Sequence, residues 1–138
     1  MSEALKRIDT SVYGDRRPIM AEVIALLHVS FNDRGLNLIE AKSRAVKKGE
    51  IHELMITDEQ NAAPGKTVNH VRVLCFFEVK QGGLAVLGDQ VTLNREPLGN
   101  IAGWDLTHMP NHMNFLVKQE NLGHPPLKVG AMIEIHNS

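Results

Sequence analysis

Beyond Pro18, turn-forming residues interrupt the chain repeatedly, leaving short apolar pieces between them. The interruptions are Asn32-Asp33-Arg34-Gly35, Lys47-Lys48-Gly49-Glu50, Pro64-Gly65, Gln81-Gly82-Gly83, Gly88-Asp89, Asn94-Arg95-Glu96-Pro97 and the stretch around Pro125-Pro126. Gly, Asn and Asp accept the backbone angles that tight turns demand, so each cluster marks a reversal. Roughly seven or eight short strands at this spacing make the pattern of a small closed or partly open β-barrel, or of a sandwich. The fold class read from the sequence is therefore all-β, a barrel of about six to eight strands with at most one short helix.

The individual segments support this reading unequally. Val71-Arg72-Val73-Leu74-Cys75-Phe76-Phe77-Glu78-Val79 is the densest β-branched and aromatic run, and strands follow at Ile51–Thr57, Leu84–Leu87, Gln90–Leu93, Leu98–Trp104, Asn114–Lys118 and Ala131–Ile135. Ile19 to Phe31 fits both periods: Met20, Val23, Ile24, Leu27 and Phe31 suit a helix, while Val23, Ala25, Leu27, Val29 and Phe31 suit a strand. The four-residue turn at 32–35 and the apolar run Leu36–Ala41 favour the strand and predict a hairpin of 19–31 with 36–41. Ala41 to Lys48 is the other segment with some helical character. Residues 1–17 are polar and weakly patterned and read as an N-terminal arm, with 18–138 as a single barrel domain.

Composition removes several classes of function. A chain of 138 residues is about one domain and buries enough surface to fold without metal or disulfide. Its net charge of −1 offers no global attraction to nucleic acid or to an anionic membrane surface. Aromatic residues are only 4% of the chain, too few for the stacking platforms of single-strand binders. No apolar stretch approaches the roughly 18 to 20 residues of a membrane span, and the N-terminal residues lack the basic-then-apolar order of a signal peptide. The expected location is cytoplasmic. The single cysteine, Cys75, lies within the most apolar run and reads as a small core residue.

Gly83 to Val91, with Gly88-Asp89 at its centre, followed by Leu98-Gly99-Asn100-Ile101, resembles the strand–Gly-Asp–strand segments of small closed barrels, including the second domains of translation factors. The likeness is confined to residues 83–101. It implies a barrel and no activity.

Chemistry-bearing residues concentrate in one place, Gly103-Trp104-Asp105-Leu106-Thr107-His108-Met109-Pro110-Asn111-His112-Met113-Asn114. Asp105, His108 and His112 are first-row metal-ligand types, and ligands drawn from one short segment lower the entropic cost of assembling a site. Pro110 disfavours the α region at Met109, so the segment reads as a rigid loop between two strands. No Glu follows His108, and the helical zinc-protease motif is absent. Trp104, Thr107, Asn111 and Asn114 are the candidate ligand contacts, placed over an apolar floor at a barrel mouth. His52-Glu53 is a second candidate pair. On a strand the two point to opposite faces, and an inward His52 becomes a third ligand or a general base. Arg34 in its turn offers a cation to an anion, although turn chemistry alone accounts for that segment.

Two functions follow from these residues. The first is a barrel binding a small molecule or a divalent metal ion near Trp104–Asn114, through Asp105, His108, His112 and His52. The second is a non-catalytic barrel, a homo-oligomer whose His-rich loop packs at the interface between copies or locks its own turn. Neither calls for nucleic acid or membrane. No Gly-rich phosphate loop, nucleophile elbow or Cys-x-x-Cys knuckle is present to suggest a third.

Overall fold

The structure is a computed structural model that describes residue 10 and residues 12–137. Eleven strands follow in order: β1 (Ile19–Phe31), β2 (Leu36–Asn37), β3 (Ser43–Val46), β4 (Ile51–Thr57), β5 (Thr67–Val68), β6 (Val71–Gln81), β7 (Gly83–Val86), β8 (Gln90–Leu93), β9 (Glu96–Asp105), β10 (Asn114–Lys118) and β11 (Met132–His136). No helix occurs among the described residues, so none there is long and apolar enough to cross a membrane.

Seven strands close into a barrel in the order β1-β11-β8-β9-β10-β4-β6, with β6 returning to β1. All neighbours are antiparallel except β10 and β4, which run parallel with Asn114 opposite Glu53. Closure removes the exposed sheet edges that invite aggregation, and it suits strands this short. The other four strands form two small ribbons, β2–β5 and β3–β7.

Alternation along the strands builds two apolar layers. Ile19, Ala21 and Val23 of β1, Leu54 and Ile56 of β4, and Phe77 and Val79 of β6 fill the barrel interior together with Trp104 and Phe115. Phe77 and Trp104 each meet Phe115 edge to face, at ring separations of 5.3 and 5.9 Å. Met55, Val71, Val73, Ala102 and Leu116 face outward instead. They are covered by Leu36, Leu38, Ala62 and Val68 from the β2–β5 ribbon and its flanks. Leu38 reaches the barrel wall because Gly103 has no side chain there: a Cβ on Gly103 would stand 3.2 Å from Leu38 Cδ1.

This outer layer explains where the strand pairing departs from expectation. The ambiguous segment 19–31 is a strand throughout, as is much of 41–48. The turn at 32–35 has Gly35 at φ +65°, yet it does not close a hairpin of β1 with 36–41. Leu36 pairs with Val68 of β5, and the turn is tied down by Arg34 N–H and Gly35 N–H donating to the Asn69 backbone and side-chain oxygens. β1 takes β6 and β11 as partners instead, burying its apolar face in the barrel. Likewise the chain leaves β6 at Gly82 not to fold back on it but to pair β7 with β3. The Asn94-Arg95 turn does close a two-residue hairpin, with φ of +49° and +71°, between β8 and β9.

Part of the segment read as an arm is fastened to the barrel. Arg16 donates paired hydrogen bonds of 2.8 and 2.6 Å to the Asp89 carboxylate and a third to the Leu84 carbonyl. The Asp89 carboxylate also accepts from Val86 N–H, so the Gly88-Asp89 turn holds a half-buried ion pair. The Asp89 hydrogen bond raises the Arg16 guanidinium pKa further, against the opposing effect of burial. Residues 1–9 and 11 lie outside the described residues.

Candidate functional site

The loop between β9 and β10 is a compact turn. Met109 N–H donates to Leu106 O, Asn111 N–H to His108 O at 2.9 Å, and His112 N–H to the same carbonyl at 3.4 Å. The Met109–Pro110 peptide is cis. The last of these bonds spans four residues, as one isolated turn of helix would, and it sets the two imidazoles side by side. The rings of His108 and His112 stack at 5.0 Å with 27° between their planes. His112 is buried and His108 is exposed.

The third group comes from the barrel wall. Glu53 N–H donates to Met113 O at 2.9 Å, which continues the parallel β4–β10 pairing one residue beyond the strand and fixes Glu53 beside His112. Glu53 Oε1 then lies 2.9 Å from His112 Nε2. On the other side of that ring, Nδ1 meets the Asn111 side-chain oxygen at 2.7 Å. Both ring nitrogens therefore face oxygen. This environment suits a ring that holds a metal at Nε2 while Nδ1–H donates to Asn111. Phe76 of β6 meets the His112 ring edge to face at 5.0 Å and limits its movement.

Glu53, His108 and His112 offer ligand atoms that all lie within 4.8 Å of one another. Ligands on a tetrahedral zinc ion are about 3.3 Å apart, given bonds of about 2.0–2.1 Å. Glu53 Oε1 and His112 Nε2 stand closer than that, at 2.9 Å, and His108 is exposed on the loop beside them. Among the described residues this is the one group of three or more such side chains placed to share an ion.

Asp105 and His52 are not brought to the histidine pair. Asp105 is buried, and all its capacity is used locally. Oδ2 accepts from Asn37 N–H at 3.0 Å, and Oδ1 accepts from Thr107 N–H at 2.8 Å and Asn114 Nδ2 at 3.2 Å. It clasps the start of the loop to β2. His52 does face inward, as one of its two sequence alternatives allowed, but the loop lands on the opposite face of β4. Inside the barrel His52 packs against Phe115 and Phe77. Its Nδ1 accepts from Met113 N–H at 3.0 Å, so Nε2 carries the proton that is donated to Glu50 at 2.9 Å. Burial alone would raise the Glu50 carboxyl, but the His52 hydrogen bond, the Lys47 backbone and the nearby charges outweigh it and hold Glu50 below its ordinary value.

The four candidate ligand contacts divide by exposure. Trp104 is wholly inside the barrel and Asn114 is buried against Asp105, whereas Thr107 and Asn111 are exposed on the loop. The barrel mouth offers no floor, because aromatic side chains fill the interior. The apolar floor lies on the outer wall instead. A cleft of about 270 Å³ opens beside the histidines, lined by Leu27, Val29, Phe31, Met55, Val73 and Phe76, with Arg34, Glu53 and His108 at its rim.

Glu53 and Arg34 are the members that sequence reasoning undervalued. Alternation places His52 and Glu53 on opposite faces, and it is Glu53, on the outward one, that stands beside the histidines. The useful signal was Met55, two residues on, whose outward side chain shows that this face of β4 is also covered.

A model of the family of unknown function DUF6917 matches residues 13–135. Comparison with curated proteins and with solved structures gave no match. The match spans the whole barrel but for the last residue of β11, both ribbons and the loop that carries the two histidines, and the chain belongs to the DUF6917 family.

Proposed function

We infer that this barrel binds a divalent transition-metal ion through Glu53, His108 and His112 and uses it to bind a small molecule in the adjoining cleft. The observation that carries the reading is the convergence of three ligand atoms within 4.8 Å, one on strand β4 and two on the loop between β9 and β10. Imidazole and carboxylate together suit zinc and its neighbours in the first row. Three protein ligands leave a coordination position open, the arrangement of reactive rather than structural metal sites. That opening lies at the rim of an apolar cleft. A cation held there supplies a Lewis-acid position to whatever occupies the cleft. Asn111 supports the arrangement by accepting from His112 Nδ1–H, which leaves Nε2 as the ligating atom.

Zinc titration of the tag-free protein by calorimetry tests the proposal. One equivalent binds, and Glu53→Gln and His112→Ala each weaken binding by about tenfold or more, while His136→Ala at the far end of the barrel leaves it unchanged. Binding weakens as pH falls, because protons and metal compete for the imidazoles. Absence of zinc binding, or equal affinity in all variants, refutes the assignment.

The competing reading, a loop packed between copies of the chain, draws on the exposure of Val29 and Phe31 in the cleft and of Met109 on the loop. It requires that His108→Ala with His112→Ala change the sedimentation of the protein. The metal reading requires that the double variant lose zinc and sediment as the wild type does.

A further inference from the structure

Arg34 is the one cation on the rim of this cleft, and its surroundings leave it uncommitted. Its backbone N–H serves the turn by donating to Asn69 O, but among the described residues its guanidinium makes no hydrogen bond and no ion pair. Asp33, its neighbour in sequence, does not pair with it, and neither does Glu53 across the cleft. The guanidinium stands 5.7 Å from the centre of the Phe31 ring, which holds it over the cleft's edge without neutralising it. Arg16, by contrast, has its charge met by Asp89. A half-buried guanidinium with five donors and no acceptor is an open position for a planar anion, and a carboxylate matches its fork geometry.

The rest of the cleft sets what that carboxylate is attached to. The floor is aliphatic and aromatic, and its volume of about 270 Å³ admits a body the size of a short acyl chain or a single ring. The charges at the rim agree. With a divalent ion on Glu53, His108 and His112, the rim sums to a net positive charge, which an anion complements and an amine does not.

We propose that the cleft recognises a small monocarboxylate with an apolar body. Arg34 takes the carboxylate, and Val29, Phe31, Met55, Val73 and Phe76 take the body. The proposal rests on the metal reading above for what faces the carboxylate from the opposite rim, and on Arg34 and the apolar floor alone for binding itself. Arg34 is a specificity-determining residue in this account, because it selects an anion over a neutral molecule of the same shape.

The test is titration of hexanoate, benzoate and hexanamide into metal-free and zinc-loaded protein, followed by methyl NMR of Val29, Met55 and Val73. Hexanoate and benzoate bind and shift those methyl signals. Hexanamide, with the same body and no charge, binds about tenfold more weakly or worse. Arg34→Gln removes the preference for hexanoate over hexanamide without altering the fold, since the side chain supports no part of the turn. Zinc-loaded protein binds hexanoate more tightly than metal-free protein. Failure of hexanoate and benzoate to bind either form, methyl shifts located elsewhere, or an unchanged preference in Arg34→Gln overturns the proposal while leaving zinc binding intact. If zinc does not bind but hexanoate does so through Arg34, the metal assignment falls and the carboxylate site stands.

Discussion

Replacing Asp105 with alanine separates a loop clasp from a metal ligand. The carboxylate is 1% exposed and accepts three hydrogen bonds, from Asn37 N–H, Thr107 N–H and Asn114 Nδ2. A hydrogen bond to a charged group contributes about 1.5–3 kcal/mol, and removing one partner strands the other. The Asn114 bond is long at 3.2 Å, and the two backbone donors are only partly buried, so water recovers some of the loss. A total of about 3–4 kcal/mol is therefore expected, a large fraction of the 5–15 kcal/mol typical of a whole domain. Trp104, the single tryptophan, is wholly inside the barrel and gives a direct fluorescence signal for unfolding in urea. With a urea slope of about 2 kcal/mol/M, the midpoint falls by about 1.5–2 M. Zinc affinity changes little at temperatures where the variant stays folded, because Glu53 is held on β4 and His112 by its bonds to Glu53 and Asn111, not by Asp105. A midpoint shift below about 0.3 M refutes the clasp, given the contributions expected of buried charged acceptors. Normal stability with lost zinc binding makes Asp105 a ligand and overturns its placement outside the site.

Two further perturbations probe the frame around the site. Gly99 sits at a bulge between β8 and β9 with φ of +157°, and a Cβ there would overlap the Lys118 carbonyl oxygen and stand 2.7 Å from Val117 Cγ1. Gly99→Ala therefore costs about 2–3 kcal/mol in the same urea assay, and a cost near zero shows that β9 and β10 can separate there without penalty. Cys75 is buried, and loss of solvation together with the nearby Glu53 charge pushes its thiol up to about 12. It stays protonated at pH 8 and does not react with a disulfide reagent until urea unfolds the chain; rapid reaction of the native protein contradicts its burial.

The barrel was legible because each strand's alternation and each turn's Gly, Asn or Asp is a local property. Ile51–Thr57 and Asn114–Lys118 fall where the sequence pattern places them. Pairing was less legible because it depends on a second layer outside the barrel. A turn at 32–35 looks the same whether the next strand returns to β1 or, as Leu36 does, crosses to Val68. The candidate site divided along the same line. His108 and His112 stand in one short loop, so their proximity could be read directly. Their partner Glu53 lies 55 residues before His108 and reaches the loop through the parallel β4–β10 pairing, which no local pattern announces. Asp105 and His52 carry the right atoms, but nearby backbone groups occupy them.

The parallel pairing of β4 with β10 also has a consequence for how the protein is made. Residues 51–57 must wait on the ribosome until residues 114–118 have been synthesised before the two strands can meet, and pairings so distant in sequence form slowly. Glu53 and His112 lie on either side of that join. An ion bound between them would staple the last-made half of the wall to the first, so that metal capture would report a finished barrel rather than a partly folded chain.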